Sequence, residues 1–246
     1  MVSMKTSIIL LRYDFTNELY RLTQSATESL ETLGADELIL IDNSSTVGEV
    51  RDWADVYVKN KVNRGYCQGV NQGFKLAKGD LIAVANNDIR VSLNALEVAK
   101  GIFMENLKVG SVHFRMVPYD EPMWLGMDTW IGGKERWCHS SFYVIRRETL
   151  PEGLYWEGYK EGGYDDYDFW HRVRDINGWK QAYTNKAAFQ HKDSSTYMAL
   201  DRRDGTRSER DLKNRESYRT RFGEYPDVQF ANLFPEQMKE AWKPFP

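Results

Sequence analysis

The sequence is short of the features that mark the specialised protein classes. Its 246 residues include two cysteines, Cys67 and Cys138, too few for a disulfide framework and without the paired spacing of a zinc site. They read as ordinary half-buried thiols. Long apolar runs are missing too: the longest, Ile8 to Leu11, Leu38 to Ile41 and Leu81 to Ala85, reach only four or five residues, against the roughly 20 that a helix needs to cross a bilayer. The first run follows Lys5 and ends at Arg12, so it is no secretory leader, and a cytoplasmic setting is expected. Nor is there an excess of one charge. A formal net charge of −3 gives no reason to expect a polyanionic partner, although a local patch could bind one. The first 110 residues contain no proline and a single tryptophan, Trp53.

What is present is ample core material, with 41% of residues hydrophobic and 28% charged. That suffices for one large domain or two small ones and excludes a disordered chain. The first 110 residues alternate short apolar runs with helix-like stretches, the pattern of a parallel sheet wrapped by helices in an α/β fold. Strands are expected at 7–11, 37–41, 55–58 and 80–85, and helices at 17–33, closed by Gly34, and at 65–78, closed by Gly79. Beyond residue 110 the composition shifts: six of the eight tryptophans lie between Trp124 and Trp179, and all seven prolines follow residue 117. Strands are expected at 109–116 and 140–145, a helix at 166–176, and a closing pair of strands at 179–183 and 187–190. From Asp201 to Arg221 there are eight Lys or Arg against five Asp or Glu, the mark of a solvated basic helix.

In an open α/β sheet, loops at the carboxyl ends of the strands line the ligand crevice. Three polar loops are expected there: Asp42-Asn43-Ser44-Ser45, Asn63-Arg64-Gly65 and Asn86-Asn87-Asp88. Taken singly, such residues fill turn and N-cap roles routinely. Glycines at 65, 69 and 73 share one helix face and leave it without side chains. Either the helix packs tightly on the sheet, or a nucleotide lies against its N-terminus, where free N–H groups favour anions. The stretch from Gly65 to Gly69 lacks the G-x-G turn of a dinucleotide site, and no Gly-Lys-Ser or Gly-Lys-Thr occurs, so neither a dehydrogenase fingerprint nor a Walker loop is present.

Several motifs in order resemble those of family 2 glycosyltransferases. Asn63-Arg64-Gly65, Asn71-Gln72-Gly73, Ala77-Lys78-Gly79-Asp80 and Asn86-Asn87-Asp88 are similar to that family's N-x-G, N-x-G, A-x-G-D and N-N-D series. Leu40 to Ser45 looks like its second-strand signature, Phe142 to Arg147 like the strand before its acceptor region, Gly163 to Asp168 with Arg172 like its acidic motif, and Gln190-His191 like its late histidine. The resemblance covers about residues 5 to 223, nearest to a rhamnosyltransferase-like subgroup, and implies a GT-A fold. It divides one domain into a nucleotide-sugar half at 1–110, an acceptor and catalytic half at 111–200 and a helical extension at 201–246.

The resemblance also implies a chemistry. Sugar transfer leaves negative charge on a departing diphosphate, and a divalent metal, Mn or Mg, can offset it. Asp88 and His191 would hold that metal, with Asn86 standing where many relatives have another aspartate. Asp166 would be the general base and Asp165 would contact the acceptor, while Asp168 with Arg172 reads more simply as a structural ion pair. Asp42 would bind the nucleobase, and Asn43, Asn63, Arg64, Asn71, Asn86 and Asn87 would lie along a UDP- or dTDP-linked donor. Arg202, Arg203 and Arg207 either clamp the diphosphate or belong to the solvated helix. Direct attack aided by one base inverts the anomeric centre. A saccharide acceptor is favoured; a hydroxylated DNA base, and a non-catalytic nucleotide-sugar-binding protein, are the alternatives.

Overall fold

The computed structural model describes residues 4–132, 141–159, 163–192, 199 and 207–223. The element order is β1 (Thr6–Arg12), α1 (Asn17–Glu31), β2 (Glu37–Asp42), β3 (Val56–Lys59), α2 (Tyr66–Leu76), β4 (Leu81–Asn86), β5 (Ile89–Val91), α3 (Ala95–Glu105), β6 (Val109–Pro118), β7 (Thr129–Gly132), β8 (Phe142–Arg146), α4 (Asp165–Trp170), β9 (Lys180–His191) and α5 (Arg207–Phe222). One sheet runs through the molecule in the order β3-β2-β1-β4-β8-β6-β9-β5, with β7 also paired to β9. The first four strands of that order are parallel, whereas β8 runs antiparallel to both β4 and β6. No helix among the described residues is long and apolar enough to cross a membrane.

The short apolar runs are strands buried on both faces, which is why they do not alternate with polar residues. Ile8, Leu10, Leu38 and Leu40 point to one core with Ala26, Leu30 and Phe103. Their neighbours Ile9, Leu11, Ile39 and Ile41 point to a second core with Val70, Phe74, Phe169 and Trp170. Side chains on successive strand positions face opposite ways, so one run feeds both layers. The glycine face of α2 is explained by packing at two of its three positions. A Cβ on Gly69 would come within 2.5 Å of Leu11 Cδ1, and one on Gly73 within 2.5 Å of Ile9 Cγ2. Gly65, at φ +85°, is the cap from which the helix starts.

Two expected elements take a different form. The closing pair of strands is one twelve-residue strand, β9, whose register against β6 shifts between Phe114↔Thr184 and Arg115↔Ala188. The skipped polar residues look like a turn in sequence, but Asn185 is tied to the neighbouring loop, accepting from Gly126 N–H at 2.8 Å and Asp128 N–H at 2.8 Å. A bulge therefore replaces the turn. The expected helix at 166–176 begins as α4 and continues over His171–Ile176 with π-helical hydrogen bonding.

Candidate active site

Three strand ends converge around Asp88 and His191. The tight turn from β4 into β5 carries Asn86, Asn87 and Asp88, and β5 pairs antiparallel with the end of β9, with Ile89 opposite His191. This brings Asp88 Oδ1 to 3.2 Å from His191 Nε2, with both side chains more than nine-tenths buried. Ser141, at the entry to β8, approaches the ring nitrogens of His191 at 3.3 and 3.4 Å, and its carbonyl accepts from Asn86 N–H at 2.9 Å. Asn86 Oδ1 is buried with no hydrogen-bond partner among the described residues, a cost that a ligand could relieve. Among the described residues no group of three or more His, Cys, Asp or Glu side chains is set to hold a metal. A carboxylate and an imidazole nevertheless suit a divalent ion that completes its shell with phosphate oxygens and water.

The loops after β2 and before α2 form one hydrogen-bonded assembly. Asp42 Oδ1 accepts from Ser45 N–H at 2.6 Å and Oδ2 from Tyr57 O–H at 3.0 Å; Ser44 between them sits in the left-handed region at φ 76°. Asn43 is the hub. Its amide donates to Asn63 Oδ1 at 2.7 Å and to the Gly65 carbonyl, and its Oδ1 accepts from Asn60 and from Arg64 N–H. Asn63 Oδ1 also accepts from Gly65 N–H at 2.8 Å. Arg64 is exposed. Two further residues expected along the donor have their side-chain amides bonded within the protein. Asn71 is buried and clamps the Tyr155 peptide, donating to its carbonyl at 2.7 Å and accepting from its N–H at 3.0 Å. Asn87 donates to Asp14 Oδ1 and Thr23 Oγ1, both at 2.9 Å.

Asp14 belongs to a buried network that the sequence did not announce. Arg12, wholly buried, reaches Asp14 at 3.1 Å, Ser45 Oγ at 2.9 Å and the Val47 carbonyl at 2.5 Å. Burial outweighs the Arg12 charge and pushes the Asp14 carboxyl up to about 6. The network joins the Asp42 turn to the Asn87 turn across β1. Arg12-Tyr13-Asp14 matches no sequence motif, so only the pairing of β1 between β2 and β4 reveals it.

The acidic motif opens α4. Tyr164, at φ 66°, precedes it in left-handed backbone, a strained conformation for an aromatic residue that surrounding contacts must hold. Asp165 is buried, and desolvation together with the adjacent Asp166 carboxylate raises its pKa well above the ordinary value. A side-chain hydrogen bond with Asp166 adds to the rise, so Asp165 is the acid held toward its protonated form. Tyr66, Tyr143 and Tyr155 lie close enough for both acids to raise their pKa values, although burial is the largest cause in each case. Asp168 forms the expected ion pair with Arg172, at 2.5 Å. It also meets Arg221 of α5 at 2.8 Å. Arg202 and Arg203 lie outside the described residues, as does the side chain of Arg207.

A separate cavity, lined by Ile8, Leu30, Leu38, Trp53 and Asp55 among others, opens at the amino-terminal ends of β1 and β2, opposite the carboxyl ends where ligands bind in open α/β sheets.

Comparison with known proteins gives a family and a fold. Residues 7–204 match the model of the family described as glycosyl transferase family 2. No curated protein matches the sequence. Among solved structures, S. aureus TarS 1-349 superposes with a TM-score of 0.61 at 14% identity, over 97% of this chain and 78% of that one. The mannosyltransferase PcManGT from Pyrobaculum calidifontis, in complex with GDP-Man and Mn2+, gives 0.65 at 18% identity, over 94% and 68%. GalNAc-T7 with UDP, GalNAc and Mn2+ gives 0.63 at 13% identity, over 76% of this chain but 44% of that one. At such identities the likeness is one of fold, and that fold is GT-A.

Proposed function

This chain belongs to glycosyl transferase family 2, and from that premise we propose that it is a metal-assisted, inverting transferase in which Asp166 is the base and Asp88 and His191 serve the diphosphate. The observation that carries the reading is the pairing of Asp88 with His191 at 3.2 Å at the carboxyl ends of the strands, in a molecule whose other acidic pair opens α4. A divalent ion, Mn or Mg, held by Asp88 and His191 would offset the charge that develops on the departing diphosphate. The PcManGT and GalNAc-T7 structures, each with Mn2+, support a divalent ion of this kind.

The chain's own residues supply the rest. Asp165, held toward its neutral form, leaves Asp166 as the carboxylate that takes the proton of the attacking hydroxyl. Attack from the face opposite the leaving diphosphate inverts the anomeric carbon. The Asp42 turn holds the nucleobase, with Asn43 and Asn63 shaping the loop that carries Arg64 toward the donor. Asn86 faces the donor from the same turn as Asp88. Asn71 and Asn87 serve by holding loops rather than by touching the sugar nucleotide, because their amides are committed to Tyr155, Asp14 and Thr23. We take the donor to be UDP- or dTDP-linked, with rhamnose the sugar of the nearest subgroup, the acceptor to be a saccharide, and the setting to be the cytoplasm.

Calorimetry with UDP, dTDP, GDP and their sugars, with and without Mn2+, followed by product analysis by NMR, tests the whole reading. The expected result is Mn-dependent binding of one nucleotide class and an anomeric configuration in the product opposite to that of the donor. Retained configuration, or binding indifferent to metal, overturns it.

A further inference from the structure

We propose that Arg221, on the helix that closes the described chain, is a positioning residue for the Asp165–Asp166 pair, so that α5 is part of the transfer site. The inference rests on the reading of Asp166 as the base. It goes beyond the family, whose match ends at residue 204, before α5 begins at Arg207.

Asp168 carries the argument. Its carboxylate is wholly buried and has a guanidinium on each oxygen: Arg172 Nε on Oδ1 at 2.5 Å and Arg221 Nε on Oδ2 at 2.8 Å. Both arginines reach on to the same loop. Arg172 donates to the carbonyls of Gly153 and Leu154, and the Arg221 guanidinium lies 4.4 Å over the Trp156 ring. The loop between those contacts is pinned to α2 by Asn71 and Tyr155. Asp168 thus binds the first turn of α4 to a rigid neighbour from two sides, and Arg221 supplies one of them.

Around it, Tyr218 is buried against the rings of Tyr164 and Tyr167, and Phe222 stacks on His171 at 4.3 Å. Residues 218, 221 and 222 share one face of α5 at i, i+3 and i+4 spacing, while Leu212 is exposed.

That first turn needs such a clamp. Three carboxylates, Asp165, Asp166 and Asp168, crowd the first turn of the helix, where like charges repel, and its cap, Tyr164, sits in left-handed backbone with no side-chain cap hydrogen bond. The charged and titratable groups around the acid pair are Asp168 with Arg172 and Arg221, together with Tyr66, Cys67, Tyr143 and Tyr155. Removing Arg221 takes the cluster of Asp168 and its two arginines from a net charge of about +1 to about 0 two residues from the base, which both loosens the turn and raises the proton affinity of Asp166.

The test compares wild type with R221M, R221K and D166N. Donor hydrolysis and transfer are read as kcat, KM and pH profile, and hydrogen exchange is followed over residues 163–170. For R221M we expect kcat to fall by about tenfold or more with donor KM within about twofold, as for a displaced base. The acid limb of its kcat profile moves to higher pH, and exchange at 163–170 quickens while that of β2 is unchanged. R221K keeps the charge and returns the acid limb toward wild type. Folded R221M with wild-type exchange at 163–170 overturns the proposal whatever the activity, as does a fall in kcat with an unmoved acid limb. Wild-type rates in D166N instead sink the base assignment, and exchange still decides whether Arg221 holds the turn.

Discussion

The two halves of the sheet hold their acids by different means. At the end of β2 much of the work is done by short amides and hydroxyls close in sequence, with Asn43, Asn63 and Ser45 bonded within about twenty residues, although the buried Arg12 reaches 33 residues to Ser45 and Asn87 reaches 73 to Asp14. Around α4 it is done by arginines and rings brought from afar, with Asn71 reaching 84 residues to Tyr155 and Arg221 reaching 53 to Asp168. Each half stores strain beside an acid, Ser44 near Asp42 and Tyr164 beside Asp165. A turn whose partners are local forms with its own strand. A helical turn crowded with like charges waits for the rest of the chain.

The largest break in this comparison should come from Asp166→Asn. Donor binding is expected to stay near wild type while transfer drops by at least about a hundredfold, the contribution of a general base; calorimetry and initial rates measured side by side separate the two. Next comes the pair at the strand ends. Asp88→Asn and His191→Ala should each weaken Mn2+ binding in the presence of nucleotide by about tenfold or more, read as a displaced activation curve, and an unshifted curve would return His191 to a purely structural role.

The buried network behind the Asp42 and Asn87 turns sharpens the contrast through pH. The Asp14 carboxyl titrates near 6 in the folded protein against 3.8 for the free group. Because its folded pKa is raised, the folded state holds the extra proton, and this contribution to stability is complete below about pH 4 and lost as pH climbs through 6. Asp14→Asn cannot ionise, so it should gain on the wild type by up to about 3 kcal/mol between pH 4 and pH 7. Urea denaturation at both pH values measures the difference; a constant gap would mean that Arg12 keeps Asp14 ionised throughout.

The smallest effect concerns α2. Gly73→Ala drives a methyl into Ile9 Cγ2, fixed on a buried strand, whereas Gly69→Ala meets the flexible tip of Leu11. Overpacking of about 1–3 kcal/mol is set against about 1 kcal/mol of helix propensity gained. Thermal melts should therefore show Gly73→Ala to be the more damaging of the two.

How much of this could be read beforehand depended on range. The parallel strands were legible because double burial makes each an unbroken apolar run, and the polar tips at 42–45, 63–65 and 86–88 because turn chemistry is local. The bulge in β9 was not, since Asn185-Lys186 reads as a turn until the loop at 126–128 is alongside it. The glycine spacing in α2 left packing and nucleotide contact both open until Leu11 and Ile9 were found beneath it. Asp168 paired with Arg172 by i, i+4 spacing, yet nothing in the spacing announced Arg221.

By itself, then, the sequence determined the layering of the molecule and the chemical identity of its acids, because periodicity, capping and motif order are properties of neighbouring residues. Only the tertiary structure decided which acids act together. It brought Asp88 to His191 across a strand pairing of residues about a hundred apart, tied Asn71 to Tyr155 and Asn87 to Asp14 and Thr23, and set Arg221 against Asp168. Desolvation and charge pairing depend on what the rest of the chain packs around a group, and no local pattern carries that information.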